Sequence, residues 1–245
     1  MNYYYITFEF SIEQFFIDID LNLDLKVEKQ LYFDIDDAPS FVEDNFIISS
    51  SNQNATDYIY KWPNWASNCV VLFGESGVGK SHLANIWHNK AQALKVSLEN
   101  IDFKDVQKRK NILIDDFELY SNKYNDLFHI INLINEINGY LLMTSKVNPA
   151  SLSTGIKDLD SRLRNVTPIK IDRPDDFLLE AIIIKLFSDK RILIDDRVIK
   201  YILKRSNRSA SELIKLVNII NNKSMEQKRA ITVPLVRDVF SDVGY

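Results

Sequence analysis

At 245 residues, with 46% hydrophobic and 26% charged residues and a net charge of −4, the chain has the composition of an ordinary globular protein, with room for one large core or one core plus a small lid. The acidic balance argues against tight binding to the phosphate backbone of nucleic acid, and a single cysteine, Cys69, rules out an internal disulfide and argues against sulfur-based metal sites. No apolar run approaches the roughly 18 residues that cross a bilayer, and the opening MNYYYITFEF lacks the basic start of a secretory signal, so the expected location is cytoplasmic.

Charge is unevenly spread. Residues 1–60 hold twelve acidic residues against Lys26 and Lys29, whereas the last 75 residues carry a modest basic excess. From Ile17 the stretch IDIDLNLDLKVE alternates apolar and polar, the period of a strand with one wet face, but no partner sheet is evident for it. The polar ISSSNQNATD that follows predicts a loop running into a helix that ends near Trp62, with Pro63 as its boundary. In the middle of the chain, the apolar runs NCVVLFG (68–74), NILIDDF (111–117) and GYLLMTS (139–145) alternate with helix-period stretches such as HLANIWHNKAQAL and LFHIINLINEI. Runs apolar throughout suit strands buried on both faces, so the prediction is an α/β fold with a parallel sheet flanked by helices. From Asp175 onward FLLEAIIIKLF, RVIKYILKRS and SELIKLVNIINNK have apolar residues at three- and four-residue spacing, which predicts a small helical lid domain.

The strongest chemical signal is GESGVGKS at Gly74–Ser81, a match to GxxxxGK[ST] placed between an apolar strand and a helical run. Three of the six glycines in the chain, Gly74, Gly77 and Gly79, fall in this loop, where the missing Cβ lets backbone N–H groups wrap a phosphate at a helix N-terminus. Such a loop assigns Lys80 to the β- and γ-phosphates of ATP, or to the β-phosphate alone of ADP, and the Ser81 hydroxyl to Mg2+. The ion needs a carboxylate as well. The pentapeptide ILIDD occurs twice, and the copy at Ile112–Asp116 supplies it: Asp115 ends a buried strand, where ligands bind in open α/β sheets, and Asp116 follows to orient a water. The copy at Ile192–Asp196 precedes a helix-period run, and Asp195 there reads as its N-cap.

With these parts in place, about Phe41 to Phe240 resembles the AAA+ module of the DnaA/Hda family, the bacterial replication initiator DnaA and the related Hda-type regulators, and is more similar to the latter. FVEDNFIISSSNQNA (41–55) looks like the family's phenylalanine-rich lead-in, implying that Asn45 and Phe46 lie near the adenine; GKSHL extends the phosphate-loop match to His82, with Glu75, Ser76 and Val78 inside it. LLMTS (141–145) resembles sensor 1, ending at Ser145, and LDSRL (159–163) resembles the box with the arginine finger, implying that Arg162 reaches a nucleotide in a neighbouring subunit. Ser211 stands where sensor 2 has its arginine, with Arg208 one turn earlier as the candidate substitute from the same helix face. Lys146 follows sensor 1 where the initiator has an acidic residue, implying weak hydrolysis of its own, and the sequence ends at Tyr245 before a helix-turn-helix domain fits, so direct sequence-specific DNA binding is not expected. QLYFDI (Gln30–Ile35) is similar to the peptide by which Hda-type regulators bind the sliding clamp of DNA polymerase.

The resemblance implies an AAA+ P-loop NTPase in three parts: an extension over 1–38, a nucleotide-binding domain over 39–172 and a helical lid over 173–245. It also implies regulatory inactivation of replication initiation, in which this protein and the clamp promote hydrolysis of initiator-bound ATP. The rival readings are a self-sufficient ATPase that loads a helicase or transposase, working as a homo-oligomer, and an adaptor that holds ADP without turnover. His82, His88 and His129 show no metal-ligand spacing with carboxylates, and Trp62, Trp65 and Trp87 are expected to pack at the domain's edge.

Overall fold

The computed structural model of the chain describes residues 46–243. The 1–38 extension, the clamp-like Gln30–Ile35 and Asn45 lie outside the described residues. Asn52, whose side-chain oxygen accepts from the Ser49 N–H, leads into α1 (Gln53–Tyr60). Five strands follow: β1 (Cys69–Phe73), β2 (Leu94–Lys95), β3 (Asn111–Ile114), β4 (Tyr140–Ser145) and β5 (Thr167–Lys170). They form one all-parallel sheet in the order β2-β3-β4-β1-β5, with α2 (Lys80–Ala91), α3 (Phe103–Arg109), α4 (Tyr124–Glu136) and α5 (Lys157–Asn165) in the crossovers.

Alternation along the central strands supplies two cores. Val71, Ile112, Ile114, Leu141 and Met143 pack with Leu127, Ile130 and Ile134 of α4 and with Leu159 and Leu163 of α5. Their neighbours Val70, Leu72, Leu113 and Leu142 face the other way, onto Ile59 of α1 and Leu83, Ile86 and Trp87 of α2. This is why those runs are apolar without interruption. The three predicted strands are β1, β3 and β4. The sequence reading missed β2, which has only two residues, and β5, whose Pro168 and half-exposed faces suit the edge it occupies. Trp65 stacks on buried Trp87 at 5.3 Å between centroids, and Trp62 meets Trp87 edge-on, the packing role expected of them. Cys69 is a core residue, and burial pushes its thiol up to about 12.

The C-terminal segment is helical as its periodicity predicts: α6 (Asp176–Asp189), α7 (Asp196–Arg205), α8 (Ala210–Gln227) and α9 (Val233–Val243). Their apolar stripes close a third core through Ile183, Phe187, Ile202, Leu216, Val217, Val236 and Phe240. Each of α6, α7 and α8 starts with a side chain bonded to its first turn. Asp175 accepts from the Leu178 N–H, Asp195 from Arg197 and Ser209 from Glu212. Asp195 is thus the predicted N-cap. Among the described residues no helix is long and apolar enough to cross a membrane.

Candidate functional site

Parallel register brings the carboxyl ends of the middle strands together, because Phe73 pairs with Ser145 and Ile114 with Met143. The loop Gly74–Gly79 leaves β1 at that edge and feeds the N-terminus of α2. Gly77 (φ +79°) and Gly79 (φ +102°) adopt left-handed backbone, and a Cβ at Gly77 would lie 2.1 Å from the Ser209 Oγ, so only glycine fits there. Val78 is buried beneath the loop, while Glu75 and Ser76 are exposed. Glu75 pairs with Arg173 at 2.6 Å, which holds its carboxyl below the usual range.

Lys80 is 5% exposed and its ammonium donates to the carbonyls of Gly74 at 3.0 Å and Glu75 at 2.8 Å. Burial lowers its pKa, and the nearby carboxylates of Asp116, Glu118 and Asp115 oppose that shift. One residue later the Ser81 hydroxyl donates to Asp115 Oδ1 at 3.0 Å. The same oxygen accepts from the Thr144 hydroxyl at 2.5 Å, and Thr144 in turn accepts the Asp116 N–H at 2.7 Å. The next residue of β4, Ser145, is fully buried and its Oγ accepts the Val147 N–H. Asp116 sits in the left-handed region (φ 46°), and burial together with Asp115 and Glu118 raises its pKa. Phe46 meets His82 edge-on at 5.2 Å and lies over the loop beside Gly79. The structure therefore gathers Phe46, the loop, His82, Asp115, Asp116 and Ser145 at one edge of the sheet.

The donor set suits a magnesium nucleotide. Ser81 and Asp115 offer hard oxygen atoms, and magnesium bound to a phosphate chain keeps several waters and needs only one or two protein groups. Among the described residues there is no cluster of three metal-ligating side chains of the kind a permanent ion would use.

Two predicted residues lie elsewhere. Arg208 precedes the N-cap of α8 rather than sharing a face of that helix, and it pairs with Asp176 at the start of α6 at 2.6 Å. Its expected place on the helix is thus corrected, because Ser209 starts the helix one residue too late to include it. It is Ser209 and Ser211 that approach the phosphate loop, where the Ala210 N–H donates to the Gly77 carbonyl at 3.1 Å. Arg162, exposed on α5, lies at the opposite end of the sheet. Its helix ends at Asn165, just before Thr167, and β5 begins beside Val70 at the start of β1. Cys69, the first residue of β1, feels the charge of Arg162. Sequence reasoning also missed Thr144 and Lys95, the latter 3.4 Å from Asp115 Oδ2. Thr144 was legible only as the residue before Ser145, and nothing in the pattern marked Lys95.

Comparison with known families and structures places this geometry. The family model for the bacterial DnaA ATPase domain matches residues 37–101, and that for the Hda lid domain matches residues 182–240. The chain belongs to the DnaA/Hda family. Domain III of the Thermotoga maritima replication initiation protein DnaA superposes with a TM-score of 0.71 at 18% identity, covering 83% of this chain and 97% of that one. AMPPCP-bound DnaA from Aquifex aeolicus gives 0.65 at 20% identity, covering 77% and 67%. The Thermotoga maritima RuvB Holliday junction branch migration motor gives 0.63 at 20% identity, covering 81% and 70%. At these identities the structural likeness shows the fold alone, an AAA+ sheet domain followed by a helical region. The DnaA/Hda assignment rests on the two family models, which fall in the right order on the sheet domain and on the lid.

Proposed function

We propose that this DnaA/Hda-family chain is a regulator of replication initiation that binds adenine nucleotide and Mg2+ and promotes hydrolysis of ATP held by the initiator DnaA, together with the sliding clamp. In this reading residues 39–172 hold the nucleotide and 173–245 cover it. The loop N–H groups, with Gly74, Gly77 and Gly79, cradle the phosphates, and Lys80 turns from its loop carbonyls to the β- and γ-phosphates. Ser81 and Asp115 would hold magnesium, which offsets phosphate charge when bound, and Phe46 would lie near the adenine; the same role for Asn45 rests on the sequence alone. Thr144 and Ser81 fix the Asp115 carboxylate, Asp116 would orient a water, and Ser145, at the end of β4, is the residue read as sensor 1.

The observation that carries the regulatory reading is the position of Arg162. It sits by the start of β1, whereas the phosphate loop leaves the end of that strand, a placement that supports the reading of its guanidinium as one offered to a nucleotide on another subunit. An arginine so placed neutralises charge that develops on the transferred phosphoryl group. The clamp contact, assigned to Gln30–Ile35, rests on the sequence alone. One further observation favours weak turnover of the protein's own nucleotide. The lid offers serine hydroxyls rather than a guanidinium to the loop, and Arg208 pairs with Asp176 at the surface.

The test is hydrolysis of ATP by the initiator with DNA-loaded clamp, with this protein as wild type and as Arg162→Ala. The expected result is stimulation that the substitution removes. Turnover by this protein alone, without stimulation of the initiator, would replace the regulator by a self-sufficient loader. Silence in both assays would leave an ADP-holding adaptor.

A further inference from the structure

Asp115, the carboxylate assigned to a divalent ion, already has partners within the chain. Both oxygens are engaged by the chain itself, Oδ1 by the Ser81 and Thr144 hydroxyls and Oδ2 by the Lys95 ammonium at 3.4 Å. Lys95 comes from the edge strand β2, where it pairs in register with Leu113. Strand alternation puts Asp115 on the same face as Leu113, so the lysine side chain runs along that face toward the strand end. Asp115, Asp116, Glu118 and Lys146 act on Lys80, and Lys95 pairs with Asp115, so this group holds three carboxylates and three ammonium groups, while Glu75 in the loop itself is paired with Arg173. The protein thus balances its own charge at this edge before any metal arrives.

We infer that Lys95 is a built-in counter-ion at the metal position, and that it makes nucleotide binding only weakly dependent on Mg2+. The inference rests on the nucleotide-site reading above. A divalent ion approaching Asp115 meets an ammonium group already paired with the oxygen it would engage, and it either displaces that group or shares the carboxylate with it. Either course weakens the ion's hold. In the absence of metal the same ammonium lies where phosphate charge collects, and it does part of the ion's work. Lys95 is about half exposed, so solvent screens the effect. An exposed ion pair is worth at most about fivefold, and the double charge of the ion raises the expected change to the order of tenfold.

The experiment is equilibrium binding of a fluorescent ADP analogue to the full chain in EDTA and in saturating magnesium, for wild type, Lys95→Met and Lys95→Arg. Methionine keeps the apolar stem and removes the charge. Wild type is expected to change affinity by less than about threefold on adding magnesium, whereas Lys95→Met binds more weakly in EDTA and gains on the order of tenfold from the metal. Lys95→Arg, which keeps the charge, should return the ratio toward wild type, a rescue that a merely damaged fold would not show. An equal ratio in wild type and Lys95→Met, or a wild type already steeply dependent on magnesium, overturns the role given to Lys95 and leaves the nucleotide site standing. Wild type that binds no labelled ADP in either condition overturns the nucleotide-site reading and this inference with it.

Discussion

Leu113 and Leu193 hold the same place in the two copies of ILIDD, yet Leu113 is fully enclosed and Leu193 is 102% exposed. The first copy lies between β2 and β4, which satisfy its backbone, while helices cover its side chains on both faces. The second follows the end of α6, where Arg191 turns through the left-handed region (φ 58°), and runs directly into α7. The two aspartates diverge in the same way. Asp115 lies in a web of hydroxyl and ammonium donors, whereas Asp195 accepts the Arg197 N–H and pairs with its guanidinium. Five residues carry too little information to choose between strand and loop; the choice comes from the strands available to pair with them.

The largest test of that contrast is on ligand binding. Lys80→Ala is expected to weaken binding of magnesium nucleotide by about a hundredfold or more, because it removes a charge aimed at the phosphate chain, and Asp115→Ala to remove only the small gain that magnesium gives. Asp195→Ala should leave affinity untouched and lower the melting temperature slightly through loss of the cap. Titration of the three variants with a labelled nucleotide reads both at once. Unchanged affinity in Lys80→Ala would remove the phosphate-loop assignment.

Stability gives the second test. Leu113→Ala opens a cavity between β3 and α2 and should cost about 2–5 kcal/mol in denaturant unfolding. Leu193→Ala removes a side chain already in water and should leave the midpoint where it was. A measurable loss at Leu193 would mean that something covers this surface in solution.

What the sequence disclosed follows from the same physics. Strands β1, β3 and β4 were legible because burial on both faces demands unbroken apolar runs, and the lid was legible because helices with one wet face repeat every three to four residues. The phosphate loop announced itself through glycines in a chain otherwise poor in them. The edge strands were hidden, since Leu94–Lys95 is too short for any period and Thr167–Lys170 alternates weakly around a proline. Lys95 was hidden for that reason: its role depends on the register of a two-residue strand against β3. Arg208 was misplaced because helical period does not mark where a helix begins, and the Ser209 cap decides that it stays outside.

The smallest predicted effect separates the second aspartates of the two copies. Asp196 opens α7 and pairs with Lys200, while Asp116 is held in left-handed backbone with its pKa raised, chiefly by burial and then by Asp115 and Glu118. A carboxyl that binds its proton more tightly in the folded chain than in the unfolded one costs the fold nothing in acid. The cost appears as pH rises through the unfolded value toward the folded one, and it is fully present at neutral pH. Asp116→Asn removes the charge and should therefore raise the melting temperature at pH 7, with a gain that shrinks as pH falls through the carboxylate range. The same variant gives up the group proposed to orient water, so any nucleotide turnover should fall while binding persists. Asp196→Asn is expected to do neither, since its partner is a solvent-exposed lysine. Thermal melts at pH 7 and in mild acid decide the point: a gain that persists at low pH would assign the Asp116 effect to packing rather than charge.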